Sequence, residues 1–334
     1  MRTYATMLVG FAEMLALPAL AGVEVTNSVP TEWAVSARFD NDSFGGTDRY
    51  YTDGVALSLT QTGPNWLDPL ADQLPWGQGR RTVGYDVSQL MFTPENLNLR
   101  NPDPKDRPYA GILALGLSLH VEQGNSYNGL KFVTGVVGPL SLADRTQKDV
   151  HHLIGSTIPQ GWDQQLKNEP IMDLYYEYRH KFQLAGERVR WSVEGLPFAG
   201  AWLGNMLTQA AVGGVVRAGY NMPNDFGPTL VRGMGEMPPP RRSEKPKSNA
   251  DWGFSVYGGG VANLVLRDIT LDGNTFENSR SVDKKWFVPA EGVGMCVGNR
   301  RFQTSFTYVF WGKEFDGQPY KATQYGAITA SYLF

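Results

Sequence analysis

Apolar and polar residues alternate along most of the chain. In Ile171–Phe182, Met172, Leu174, Tyr176 and Tyr178 fall on one face, and Asp173, Tyr175, Glu177, Arg179 and Lys181 on the other. In Arg301–Phe310, Phe302, Phe306, Tyr308 and Phe310 oppose Arg301, Gln303, Ser305 and Thr307. A period of two marks a β-strand with two unlike faces. Such runs occupy Trp33–Phe39, Val55–Thr60, Thr82–Phe92, Ala110–Val121, Gly129–Val137 and Ile171–Phe182. They continue through Arg188–Glu194, Met206–Tyr220, Trp252–Arg267, Val282–Val297, Arg301–Trp311 and Tyr325–Phe334. The pattern predicts about twelve strands.

A water-soluble sandwich would also alternate. The charges on the second face separate the two cases. A packed core penalises unpaired charge, whereas the lumen of a transmembrane barrel is polar. The expected fold is therefore all-β, a transmembrane antiparallel up-and-down β-barrel of about twelve strands. No apolar run after residue 21 reaches the roughly 18 residues that a membrane helix needs, whereas barrel strands need only about ten. The last strand places Ile328, Ala330, Tyr332 and Phe334 on one face, an aromatic ending that resembles the insertion signal of bacterial outer-membrane barrels. An aromatic content of 12% suits interfacial girdles.

The N-terminus adds a secretory signal. Arg2 precedes a mostly apolar stretch from Thr3 to Leu20, interrupted by Glu13, and Ala19-Leu20-Ala21 fits a cleavage site. The expected organisation is a signal peptide over residues 1–21 and one barrel domain over 22–334. A net charge of −3 gives no reason to invoke nucleic acid, and Cys296, the single cysteine, excludes an intrachain disulfide framework. A monomer in the outer membrane is expected.

An even strand count with both ends in the periplasm puts the first, third and fifth connections outside. By the same parity Asn221–Ala250, with its Pro238-Pro239-Pro240-Arg241-Arg242 run, lies on the periplasmic side and reads as a mobile linker. Three polar clusters occupy the outer connections: Asn41–Gly54, Thr93–Gly111 and Gly138–Pro170. The first is an oversized hairpin loop, a kind of loop that is often functional. The third contains a predicted helix, Ser141–Ile154, with Asp144 near its start and Gly155 as its stop. Gln147 and His151 are four apart and share a face of that helix.

Imidazole is well tuned to take a proton from water near neutral pH, which makes His151 the candidate base. His152 points elsewhere, and His120 and His180 lie in strands and read as structural. The chain has no G-x-S-x-G elbow and too few histidines and cysteines for a zinc site. The oxygen-rich Asn41-Asp42 pair suits a hard cation such as calcium.

Several motifs then occur in one order: Asn41-Asp42, Thr47-Asp48-Arg49-Tyr50-Tyr51-Thr52-x-Gly54, Asp106-Arg107-Pro108-Tyr109-Ala110-Gly111, Gly138-Pro139 and Gln147-x-x-Val150-His151-x-x-Ile154-Gly155. Gly161-Trp162 and Gln165-Leu166 follow. Together they resemble the lipid A 3′-O-deacylase family of Gram-negative outer-membrane barrels. The resemblance spans the mature chain and is densest over residues 39–170. It implies a twelve-stranded barrel with a helical extracellular loop and a calcium-dependent rim site between barrel wall and loop helix. The implied activity is hydrolysis of the ester carrying the 3′-acyloxyacyl group of lipid A. Carried over, His151 is the general base, and Asn41, Asp42 and Thr52 are site residues with Asp42 the side-chain calcium ligand. Gln147 is expected to support the histidine. Near Leu99, where the family is expected to have lysine, this chain departs. Arg100, Lys105 and Arg107 are the basic residues left in that cluster to contact substrate. Two other readings stand beside this one: a non-catalytic barrel (a porin or surface-binding protein) and an outer-membrane phospholipase.

Overall fold

The structure, a computed structural model, describes residues 31–187, 190–230 and 252–334. The expected signal peptide over 1–21, Arg188 and Val189, and residues 231–250 of the expected linker lie outside the described residues.

The first half of the barrel comprises β1 (Glu32–Asn41), β2 (Tyr50–Thr62), β3 (Arg80–Thr93), β4 (Ala110–Gln123), β5 (Ser126–Val137) and β6 (Glu169–His180). A short β7 (Phe182–Gly186) follows. The second half comprises β8 (Trp191–Gly204), β9 (Leu207–Tyr220), β10 (Gly253–Asp268), β11 (Phe287–Gly298), β12 (Phe302–Gly312) and β13 (Ala322–Leu333). Among the described residues three α-helices sit in the connections: α1 (Asp68–Ala71), α2 (Ala143–Ile154) and α3 (Ile269–Asp272). Sequential strands pair antiparallel, β1 closes on β13, and β6 pairs with β8. The five-residue β7 pairs only with the start of β8, so twelve strands form the wall. Closure gives each of the twelve wall strands a partner on both sides, as a sheet in hydrocarbon requires.

The two faces are used as their chemistry demands. On β6, Met172 and Leu174 point outward and are exposed, while Asp173, Glu177 and Arg179 are buried in the lumen. The buried charges are matched: Arg179 Nε lies 2.5 Å from Glu177, Lys131 Nζ 2.6 Å from Asp86, and Arg217 Nη2 2.6 Å from Glu194. Desolvating any of these groups without its partner would cost several kcal/mol, of order 3–5.

Three boundaries differ from the sequence pattern. Strand β2 begins at Tyr50, so the second half of the expected Asn41–Gly54 loop, including Thr52, belongs to the wall. The strand expected at Arg188–Glu194 runs on to Gly204, because Pro197 and several small residues hide its alternation. The segment expected to be a mobile linker also needs correcting at its start. Residues 222–230 turn back into the lumen. Asp225 pairs with Arg217, and Lys181 Nζ donates to Asn224 Oδ1 at 2.8 Å and to the Asp225 carbonyl at 2.7 Å. Arg179 Nη1 donates to the Pro228 carbonyl at 2.9 Å, and Phe226 packs 5.4 Å from Tyr127. The alternation marks those charges only as lumen-facing; in the fold they anchor this segment.

Candidate active site

At the end of the barrel that carries α2, three connections meet outside the wall. The β1–β2 connection starts with a 3-10 turn, Asp42–Gly45. Asn41 caps it, its Oδ1 accepting from the Ser43 N–H at 2.7 Å, and Gly46 closes it in the left-handed region at φ 72°. Asp42 is the hub of this loop. Its Oδ2 accepts from the Arg49 N–H and from the Thr47 hydroxyl at 3.2 Å. Burial pushes its carboxyl up to about 9; the Arg49 N–H pulls it back and the neighbouring Asp48 charge adds to the rise.

Helix α2 is fastened to the outside of the wall. The Gln89 amide on β3 donates to the Ser141 carbonyl at 2.6 Å. Gly111 on β4 permits the close approach, since a Cβ there would lie 2.3 Å from both Ala143 Cβ and Ser141 Oγ. Ala143, Gln147 and His151 recur at a spacing of four and form the buried face. Gly155, at φ 71°, ends the helix and donates its N–H to the His151 carbonyl.

His151 is oriented from both sides. Its Nδ1 lies 2.5 Å from the Thr157 carbonyl, which can only accept, so Nδ1 carries the proton. Nε2 faces Asp48, whose Oδ2 is 3.6 Å away. Burial raises the Asp48 carboxyl and the adjacent His151 opposes that rise. Gln147 Oε1 accepts from the Trp162 indole N–H at 2.7 Å, and Trp162 packs on Tyr109 at 4.9 Å. Gln147 Nε2 and Asp48 Oδ1 are buried without a hydrogen-bond partner. Thr52 Oγ1 lies 2.7 Å from Thr93 Oγ1, both buried.

The expected site residues therefore divide. His151 and Gln147 share the inner face of α2, and Asp42 shapes the loop that brings Asp48 to His151. Asn41 acts through its cap, and Thr52 meets Thr93. Arg107 is 0% exposed and turns into the barrel, where Nη1 lies 3.1 Å from Glu314 and Nη2 donates to Thr270 at 2.8 Å. Arg100 is 77% exposed at its side chain and 3.4 Å from Asp163, and Lys105 is exposed. In sequence Asp48 has no role beyond its place in a motif. Its signal was the acidic residue of Thr47-Asp48-Arg49, but only the folded loop brings it to His151.

The donor chemistry fits a hard cation in part. Buried Asp42 and half-buried Asp48 lie in one loop with the neutral oxygens of Asn41 and Thr47, and Asp48 Oδ1, itself buried, has no hydrogen-bond partner. Among the described residues no three acidic, histidine or cysteine side chains converge as a metal cluster, so neutral oxygens or water would complete such a shell.

A family model described as "Outer membrane protein LpxR" matches residues 7–334, and the chain belongs to that family of outer-membrane proteins. No protein of curated function matches it. Among solved structures, LpxR from Salmonella typhimurium superposes with a TM-score of 0.71 at 20% identity, covering 90% of this chain and 100% of that one. The β domain of the Bordetella autotransporter Brka gives a TM-score of 0.39 at 10% identity, covering 92% of this chain and 100% of that one. The translocator domain of NalP from Neisseria meningitidis gives 0.37 at 10% identity, covering 99% and 98%.

Proposed function

We propose that this member of the LpxR family is an outer-membrane esterase that hydrolyses the 3′-linked acyloxyacyl group of lipid A. The observation that carries the reading is the orientation of His151, whose protonated Nδ1 is held by Thr157 while Nε2 faces Asp48 at a rim site outside the barrel wall. A lipid of the outer leaflet reaches such a site sideways, without leaving the membrane.

In this reading Nε2 of His151 takes a proton from water as the water oxygen attacks the ester carbonyl carbon. The Asp48 carboxylate compensates the imidazolium that forms. The carbon–oxygen bond to the sugar then breaks, and His151 returns the proton to the leaving alkoxide. The buried Gln147 Nε2, a donor without a partner, can donate to the carbonyl oxygen as charge develops on it. Calcium held by Asp42 and Asp48 would supply positive charge near that oxygen. In this reading Arg100 and Lys105, both exposed, are the residues that meet lipid phosphates.

The test is mass spectrometry of lipid A from cells expressing this chain or its His151→Ala variant, with and without added calcium. The expected result is loss of one acyloxyacyl mass, abolished by the substitution. Unchanged lipid A from a correctly inserted barrel, with acyl chains released from phospholipid instead, would replace this reading with the phospholipase.

A further inference from the structure

Helix α2 carries a second apolar sector beside the one that packs on the wall. Val150, Leu153 and Ile154 lie on it, with Leu140 and Leu142 just before the helix, and all are exposed, Leu153 by 86% and Ile154 by 67%. Arg145 and His152 lie on the far, polar side, Asp149 borders the sector one turn before Leu153, and all three are exposed to solvent. Leu142 holds a left-handed backbone, φ 60°, that L residues rarely adopt. A strained backbone that presents a bare leucine to water has no packing rationale within the chain.

The strands under α2 show what covers this sector. The turn Pro139–Ser141 and α2 rest on β3, β4 and β5. The outer faces of β4, β5 and β6 carry exposed Leu115, Phe132, Met172 and Leu174 in the lipid-facing band of the barrel. The apolar sector of α2 continues that band past the rim. Its polar opposite side matches a helix lying in a membrane interface rather than one buried in a protein groove.

We propose that α2 lies in the outer leaflet, with Leu142, Val150, Leu153 and Ile154 dipped among the acyl chains. The helix that presents His151 inward would then be held at membrane depth by its outward face, two turns of one element serving both purposes. In the esterase reading this draws the ester to the site without lifting the lipid; the insertion itself does not rest on that reading.

The test places an environment-sensitive fluorophore on the full-length protein in a Cys296→Ala background, at Leu153→Cys or at Arg145→Cys. The protein is reconstituted in phosphatidylcholine and phosphatidylglycerol vesicles, with or without brominated acyl chains. Blue-shifted emission at 153, quenched by bromine, with position 145 unaffected, is the expected result. Equal quenching at the two positions, or none at 153, overturns the proposal. The readout needs no hydrolysis, so it stands or falls apart from the esterase reading. In an active preparation, Leu153→Asp with Ile154→Asp raises KM for vesicle-borne substrate about tenfold, roughly 1.4 kcal/mol; an unchanged KM counts against insertion.

Discussion

Asp48 places Oδ2 3.6 Å from Nε2 of His151, joining the β1–β2 loop to α2 across two strand hairpins. The pair faces the one imidazole nitrogen that the Thr157 carbonyl leaves open. Replacing Asp48 by asparagine keeps the shape and removes the charge that would stabilise an imidazolium. The expected loss in kcat for Asp48→Asn is about 100-fold, at the low end of general acid–base contributions. His151→Ala is expected to lose more. Deacylation rates measured on purified lipid A check both, and an Asp48→Asn enzyme at full rate would leave the pair idle.

The Asp42 carboxyl sets a pH dependence. Burial raises it to about 9, so near neutral pH and without a cation it is mostly protonated. A cation needs the ionised form, so binding releases a proton and the apparent calcium affinity rises with pH, by up to about tenfold per unit, until it levels off above about pH 9. The linkage to folding has the opposite sign from an ordinary salt-bridged aspartate. A raised folded value means that the cation-free loop is most favourable at low pH and loses stability as pH rises above the unfolded value near 4. Calorimetric titration with calcium in two buffers of different ionisation enthalpy counts the proton directly. Affinity flat between about pH 6 and pH 8 would show that Asp42 is not a ligand.

Arg107 belongs to a substrate-facing motif in sequence and to the barrel interior in structure. Its guanidinium spans Glu314 and Thr270 and stacks 4.8 Å over Phe92. Arg107→Ala takes a charge partner from buried Glu314 and is expected to cost about 3 kcal/mol, the low end for a broken buried pair. Arg107→Met with Glu314→Gln removes both charges and should recover most of that loss. Urea unfolding followed by tryptophan fluorescence in detergent reads the difference. A fully stable Arg107→Ala with weakened substrate binding would return this residue to the substrate.

These cases mark where sequence reasoning succeeds. The barrel was legible because its wall obeys a local rule: each residue of β6 or β12 faces lipid or lumen according to its parity. Helix α2 and its Gln147–His151 face were legible for the same reason, as period and a glycine stop are local. The partners were not. That Asp48 meets His151, that Arg107 meets Glu314 and that Asp225 meets Arg217 depends on which loop ends the closed sheet brings together. The start of the expected linker read as mobile because its prolines and polar residues carry no periodicity. What holds it is complementary charge on other strands.

That held segment leads to a prediction about the barrel as a conduit. A twelve-stranded wall encloses a lumen, and an open lumen conducts ions. Here Asp225, Phe226 and Leu230 are buried within it, among Arg179, Lys181, Glu194 and Arg217. The contacts are charge-assisted, a class of hydrogen bond roughly twice as strong as a neutral one. The expected conductance of the intact protein in planar bilayers is therefore negligible, which argues against the porin alternative. Asp225→Ala leaves Arg217 with one carboxylate instead of two and frees the turn that Phe226 follows, while Glu194 still neutralises the arginine so that the wall survives. Intermittent openings should appear in Asp225→Ala, and more frequent ones when Lys181→Ala is added. Steady conductance in the intact protein would show that the lumen is open despite this segment, and a silent double variant would show that other contacts suffice to close it.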